Sequence, residues 1–269
     1  ITKGINDPKD QAKALYNWVS REIRYVAVYV GAGGVVPHDA DSIIKNRYGD
    51  SKDHDALLIA LLRAKGIQAT SALINSDTAY ELPKLPAPGI LNHVITYLPD
   101  WDLYLDSTLE MAPFGTLSTS ELDKPVILTA LGSIGRTPRM TSENTKIITS
   151  VMMKINSQGE VIGTSSTKYM GNAELSARYR YADYVTVTEE NLVKNHFEAF
   201  RETGVGKFKP TDAYNLNKPF ELSSEFKIDP LANFPGKGAI AVPVGLSSGD
   251  LMVMAHNKPK DKLNYPYVC

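Results

Sequence analysis

The segment from Tyr48 to Gly66 constrains the fold more than any other. Asp55-Ala56-Leu57-Leu58-Ile59-Ala60-Leu61-Leu62-Arg63-Ala64 is apolar almost all round and closes on Lys65-Gly66. A basic last turn and a glycine stop end a helix, and one this apolar belongs in a core. Its beginning is as clearly marked. Asp50 is a good N-cap, and Asp53, three residues on, completes something close to a capping box, so Ser51 falls at the first helical position. A side chain there sits beside unpaired N–H groups and the positive end of the helix dipole, a setting that stabilises a thiolate or an oxyanion. Taken by itself, Ser51 is more simply read as a residue that helps to cap a core helix.

A second group of residues lies downstream. Leu91 to Leu98 and Trp101 to Asp106 are rich in β-branched and aromatic residues, with Pro99-Asp100 as a turn signal between them. They predict a hairpin. If the turn pairs Leu98 with Trp101, His93 faces Asp106 directly across the ladder, where Cβ atoms are roughly 5 Å apart, close enough for a carboxylate to orient an imidazole. A three-residue loop would break that register, whereas a four-residue loop preserves it. A nucleophile position at a helix start, then a histidine, then a carboxylate is the logic of a base-activated nucleophile with an orienting third group. The plainer alternative is a surface strand histidine and a loop aspartate.

Arg47-Tyr48-Gly49-Asp50-Ser51-Lys52-Asp53 and the leucine-rich helix ending in Gly66-Ile67 resemble the bacterial transglutaminase-like superfamily, whose pattern there is Gly-Asp-Cys-Lys-Asp. Asn92-His93-Val94 is similar to the family's histidine strand. Leu105-Asp106-Ser107-Thr108 is similar to its aspartate strand, with Ser107 where proline is common. Ile23-Arg24-Tyr25-Val26 through Gly33-Gly34 to Pro37 also fits, so the resemblance covers about the first half of the chain. It implies a papain-like fold and a catalytic triad of residue 51, His93 and Asp106. The implied activity is cysteine-dependent acyl transfer on a peptide, protein or cell-wall-like amide, by hydrolysis or amine exchange, in an exported or periplasmic setting. The backbone N–H of residue 51 would supply part of the oxyanion hole, with Asn46 and Asp50 as further candidates at the cleft.

Serine departs from this pattern at the decisive atom. A thiol titrates near ~8.5 and is pulled lower by a histidine and a helix start, whereas a hydroxyl does not ionise in the ground state. Little or no turnover is expected of the chain as written. An engineered cysteine-to-serine change and a natural pseudoenzyme that binds a peptide or glycan both fit, and the intact His93 and Asp106 favour the former. A serine hydrolase using Ser51 directly is a third reading.

Other features exclude functions. Gly31-Ala32-Gly33-Gly34 is no dinucleotide loop, because position 36 is Val36 and Pro37 blocks a helix from opening there. His38 and His54 are expected at surface or helix-face positions, and His196 and His256 stand alone. No Cys, His or carboxylate spacing matches a metal site, so no metal or other cofactor is expected. Cys269, the lone cysteine, can form no internal disulfide and has no helix start or partner histidine nearby. A net charge of -1 gives no electrostatic footprint for nucleic acid. The longest apolar run, Ala56 to Leu62, is too short to cross a bilayer; the start Ile1-Thr2-Lys3 does not read as a signal peptide, and without an initiator methionine a fragment or mature form is the expectation. The oligomeric state is not readable.

The fold class expected is α+β: a core domain over 1–140 with the central helix on an antiparallel sheet, then a β-rich accessory domain over 141–269. In the first, Asp7 caps a helix to about Glu22 with Ala12, Leu15, Trp18 and Val19 on one face, and Ala69 to Ile74 forms a strand beside the hairpin. In the second, 146–155 and 161–170 form a hairpin, Thr188 to Phe200 an amphipathic helix, and Phe220 to Ile228 and Gly238 to Val244 further strands. Arg178-Tyr179-Arg180-Tyr181 with Tyr184 reads as core and rim.

Overall fold

A computed structural model describes residues 1–27, 35–84, 88–182, 189–230 and 245–246 of the 269. The chain divides into two units, Ile1–Met140 and Thr141–Cys269.

In the first unit, α1 (Pro8–Glu22) starts with proline in its first turn and Asp7 accepting from the Asp10 N–H at 2.9 Å. It buries Ala12, Leu15, Tyr16 and Val19. Tyr16 takes the inner place expected of Trp18, which lies only partly buried beneath the Arg47 guanidinium, 5.3 Å from the ring centroid. β1 (Arg24–Tyr25) pairs in parallel with β2 (Tyr48–Gly49), and α2 (Ala40–Asn46) lies between them in sequence. Then comes α3 (Ser51–Arg63), whose Leu57, Leu58 and Leu62 pack with α1, Ile43 and Ile67. Leu58 and Leu62 have no exposure, so each contributes about 2 kcal/mol of burial.

The sheet of this unit has the order β5-β4-β3-β6-β7 and is antiparallel throughout. Its strands are β3 (Thr70–Ile74), β4 (His93–Leu98), β5 (Leu103–Leu105), β6 (Pro125–Leu128) and β7 (Ser133–Arg136). Leu98 and Leu105 point into the helical core, while Ala72, Ile74, Ile95, Tyr104 and Val126 form a second core with Leu117. The unit is α+β, a central helix packed on an antiparallel sheet.

The hairpin register departs from expectation. Leu98 pairs with Leu103, not Trp101, because Pro99–Trp101 form a single helical turn and Asp102 adopts the left-handed conformation at φ 46°. The four-residue loop, expected to preserve the register, instead shifts the pairing by two, so His93 and Asp106 are diagonal rather than opposite. An even shift keeps both side chains on the same face.

The second unit holds an antiparallel sheet of order β10-β11-β9-β8: β8 (Lys146–Ile155), β9 (Val161–Met170), β10 (Gly204–Pro210) and β11 (Glu221–Ile228). α5 (Glu189–Ala199) matches the expected helix, and the 146–155 and 161–170 hairpin forms as expected. α4 (Asn172–Ala182) was not foreseen. It buries Arg178 completely, with the guanidinium donating to Glu174 and to the carbonyls of Ala213, Asn215 and Lys218. The Gly31 to Gly34 turn, Tyr184, the 238–244 strand, His256 and Cys269 lie outside the described residues.

Candidate active site

α3 begins as its sequence dictates. Asp50 caps it, accepting from the Lys52 N–H at 2.9 Å and the Asp53 N–H at 3.4 Å, while Asp53 returns Oδ2 to the Asp50 N–H at 3.2 Å. Asp50 also pairs with the Lys52 ammonium at 2.6 Å. Its carboxylate therefore serves the cap and not an open cleft. Gly49 is needed here because a Cβ would come 2.5 Å from the Asp53 Cβ. The exposed His38 straps the preceding loop to the same residue, its backbone N–H donating to Asp53 Oδ1 at 2.7 Å and its ring Nδ1 3.1 Å away.

Ser51 is the first helical residue and 8% exposed, nearly covered but reachable. The capping scheme uses the N–H groups of Lys52 and Asp53 and leaves that of Ser51 without a partner among the described residues. This N–H suits an oxyanion. Asn46 is exposed at the end of α2, and no hydrogen bond links it to the helix start.

His93 and Asp106 do meet. His93 Nε2 lies 2.9 Å from Asp106 Oδ2, and Asp106 Oδ1 accepts from the Thr108 N–H and hydroxyl at 2.8 and 2.7 Å. The Asp106 carbonyl receives the buried Tyr16 hydroxyl at 3.2 Å. Burial opposes the His93 imidazolium, but the charge of Asp106 and its hydrogen bond outweigh that, and the histidine is held above its ordinary range. Asp106 is the counterpart: burial opposes its ionisation, yet the His93 charge and bond hold it below the usual carboxylate range. With Nε2 committed, Nδ1 is the nitrogen free to exchange a proton.

α3 is tied to this pair through its own polar residues. His54 donates through Nδ1 to the Ser107 carbonyl at 2.9 Å, and burial lowers its pKa despite that bond, so the ring is neutral. It is fully buried, on the helix face and not at the surface. Asp55 accepts from Thr96 of β4 at 2.6 Å and Ser71 of β3 at 2.5 Å. Among the described residues no hydrogen bond joins Ser51 to His93.

Sequence reasoning missed four participants. Thr108 was readable, since Asp-x-Thr is a local turn in which the carboxylate takes a bond two residues on. His54 and Asp55 were signalled by polar side chains on a helix otherwise apolar all round, which must find partners when buried. Glu121 carried only the weak mark of Ser118-x-x-Glu121, a capping box. It is buried, and its Oε1 approaches His93 Nε2 at 3.7 Å.

Among the described residues, His93, Asp106 and Glu121 form a group whose donor atoms all lie within 4.8 Å of one another. A histidine and two carboxylates suit a divalent cation in kind, although the spacing of the sequence gave no sign of it. The bond between His93 and Asp106 already uses two of these atoms, so base chemistry and cation binding would exclude each other. His196 of the second unit donates through Nε2 to the Gly245 carbonyl at 2.9 Å, among Phe197, Phe200 and Phe208, and is structural. No helix among the described residues is long and apolar enough to cross a membrane.

No curated protein matches this chain. Among solved structures it is similar to one from Parabacteroides distasonis described as a "putative protease", at 8% identity and a TM-score of 0.42. That similarity covers 85% of this chain and 47% of the other, so this chain spans about half that protein's length. Residues 1–76 match the family model described as the transglutaminase-like superfamily, a stretch that holds Ser51 and its helix start but neither His93 nor Asp106. Within the first unit, residues 1–76 are therefore similar to the transglutaminase-like superfamily.

Proposed function

We propose that the first unit is, with cysteine at position 51, an acyl-transfer site acting on a peptide-like amide. The observation that supports it best is the partly buried 2.9 Å bond between His93 and Asp106, tied through His54 and Ser107 to the capped start of α3. In this reading the residue 51 thiolate attacks the amide carbonyl, and the residue 51 N–H receives the developing oxyanion. His93 passes its proton from Nδ1 to the departing amine, and Asp106 holds the ring through Nε2. Water or a second amine then releases the acyl group. The second unit is a β-rich accessory domain in this account.

With Ser51 the site has little or no turnover, because no thiolate forms. Serine itself favours one other reading, a non-catalytic module that keeps the cleft for a peptide or glycan. The variant Ser51→Cys, made with Cys269→Ala to remove the other thiol, separates the two. Labelling by a thiol-directed acylating probe that is lost on adding His93→Ala supports the acyl-transfer site. Absence of labelling, or labelling indifferent to His93, supports the binding module. Reaction of the unaltered chain with a fluorophosphonate would instead make Ser51 a nucleophile in its own right.

A further inference from the structure

Glu121 has no place in the sequence-derived triad, yet it is 1% exposed and reaches the same spot. Its Oε2 accepts from the Ser118 N–H at 2.7 Å and the Ser118 hydroxyl at 2.6 Å. Its backbone is clamped too, with the Thr137 hydroxyl donating to the Glu121 carbonyl at 2.5 Å. The other carboxyl oxygen, Oε1, is buried with no donor to satisfy it. It stands 3.7 Å from His93 Nε2, whose own hydrogen-bond partner is Asp106.

We propose that Glu121 is a neutral carboxylic acid whose Oε1 hydrogen is donated to Asp106, making it the residue that holds Asp106 against His93. The inference deepens the reading above, since it concerns the same site, but it is a statement about a buried proton and stands without turnover. Two ionised carboxylates beside one imidazolium would leave a buried negative charge uncompensated, and sharing one proton removes it. A hydrogen on Oε1 also gives the orphaned atom its partner. Burial first, then the Asp106 charge and the bond between the two acids, push Glu121 well above the usual carboxylate range.

Apart from His93, 3.7 Å away, no group among the described residues is placed to offer Glu121 a counter-charge. His93 is claimed by Asp106, and the Lys124 ammonium, near in sequence, is turned to the carbonyls of Asn75 and Thr78. Asp55 and His54 of α3 act on or beside Asp106, and Asp77 acts on His93. Asp55 and Asp77 are carboxyl groups and His54 is neutral, so none of them stabilises a Glu121 carboxylate. Glu121 touches no substrate in this account. It is a positioning residue.

The test uses the chain as it is, with Ser51. Carboxyl-carbon and imidazole NMR titrations are run on metal-free protein from pH 5 to 8, and on Glu121→Gln and Glu121→Leu. The expected result is a Glu121 carboxyl that keeps its protonated shift across the range, although an ordinary glutamate ionises near ~4.3. Glu121→Gln, a neutral donor of the same shape, should leave the His93 midpoint where it is and preserve the downfield Nε2–H signal of the His93 to Asp106 bond. Glu121→Leu should lose that signal. A Glu121 carboxyl already ionised at pH 5, or a fall in the His93 midpoint in Glu121→Gln, means that the acid carries a charge and overturns the proposal. So does a folded Glu121→Leu that keeps the signal. If Glu121→Leu does not fold, the parent titration and Glu121→Gln decide. Zn2+ added in stoichiometric amount should leave the His93 resonances unmoved; their displacement would show that the three groups exist for a cation, against the proposal.

Discussion

His93 Nε2 and Asp106 Oδ2 lie 2.9 Å apart although the two residues are not opposite each other in the ladder. The strand pairing ends with Thr96 against Leu105, and Asp106 is the first residue past it. There the chain turns under the Thr108 bonds, and the carboxylate swings diagonally to the histidine. The pair is set by this turn and by Tyr16 beneath it, with the sheet supplying only the shared face.

Removing the charge of Asp106 should move the histidine. Burial disfavours the imidazolium, and Asp106→Asn removes the largest charge and the bond that oppose it, so the His93 midpoint falls below that of the parent. Imidazole NMR titration reads this directly. A midpoint unchanged from the parent would mean that Asp106 does not orient a charged ring.

Asp55 makes stability depend on pH. Burial raises its carboxyl from 3.8 to about 6, against the opposing bonds from Ser71 and Thr96. A folded value above the unfolded one means that the stabilisation is complete below about pH 4 and is lost as the pH rises through 6. Two units correspond to about 3 kcal/mol at most. Thermal unfolding of Asp55→Asn between pH 4 and 7 should show a flatter profile than the parent, and parallel profiles would refute the assignment.

Gly49→Ala should unsettle the start of α3. The added carbon meets the Asp53 Cβ at 2.5 Å, so the capping box or the β1 to β2 pairing must give way. A loss of about 1–3 kcal/mol in chemical denaturation is expected. A neutral effect would mean that the Asp53 side chain relaxes freely.

Tyr16→Phe tests the floor of the site. Its hydroxyl serves both the Asp106 and Ala112 carbonyls, at 3.2 and 3.1 Å, and is fully buried. Leaving those carbonyls without it should cost about 1–2 kcal/mol in urea unfolding. A change within error would show that Ala112 and Asp106 find other donors.

The parts of this protein legible in its sequence are those whose signals are local. The capped start of α3, its glycine stop and the 146–155 with 161–170 hairpin each follow from neighbouring residues. The register of β4 on β5 was not legible, because it hung on how four loop residues share one turn, and Asp102 takes a left-handed conformation that aspartate adopts only occasionally. Tyr16 and Glu121 were not legible for a different reason. Both lie outside the hairpin that carries the pair, Tyr16 90 residues from Asp106 and Glu121 in a separate helical turn after it. α4 escaped notice because it carries little apolar periodicity: it buries only Leu175, Ala177 and Arg178, and the Arg178 guanidinium serves backbone carbonyls of a distant loop.

The most direct measurement is the pH dependence of iodoacetamide alkylation in Ser51→Cys with Cys269→Ala. A thiol at the capped helix start and served by His93 should react with a midpoint well below the ~8.5 of a free cysteine, and His93→Ala should raise it toward that value. An ordinary midpoint, unchanged by His93→Ala, would contradict the account.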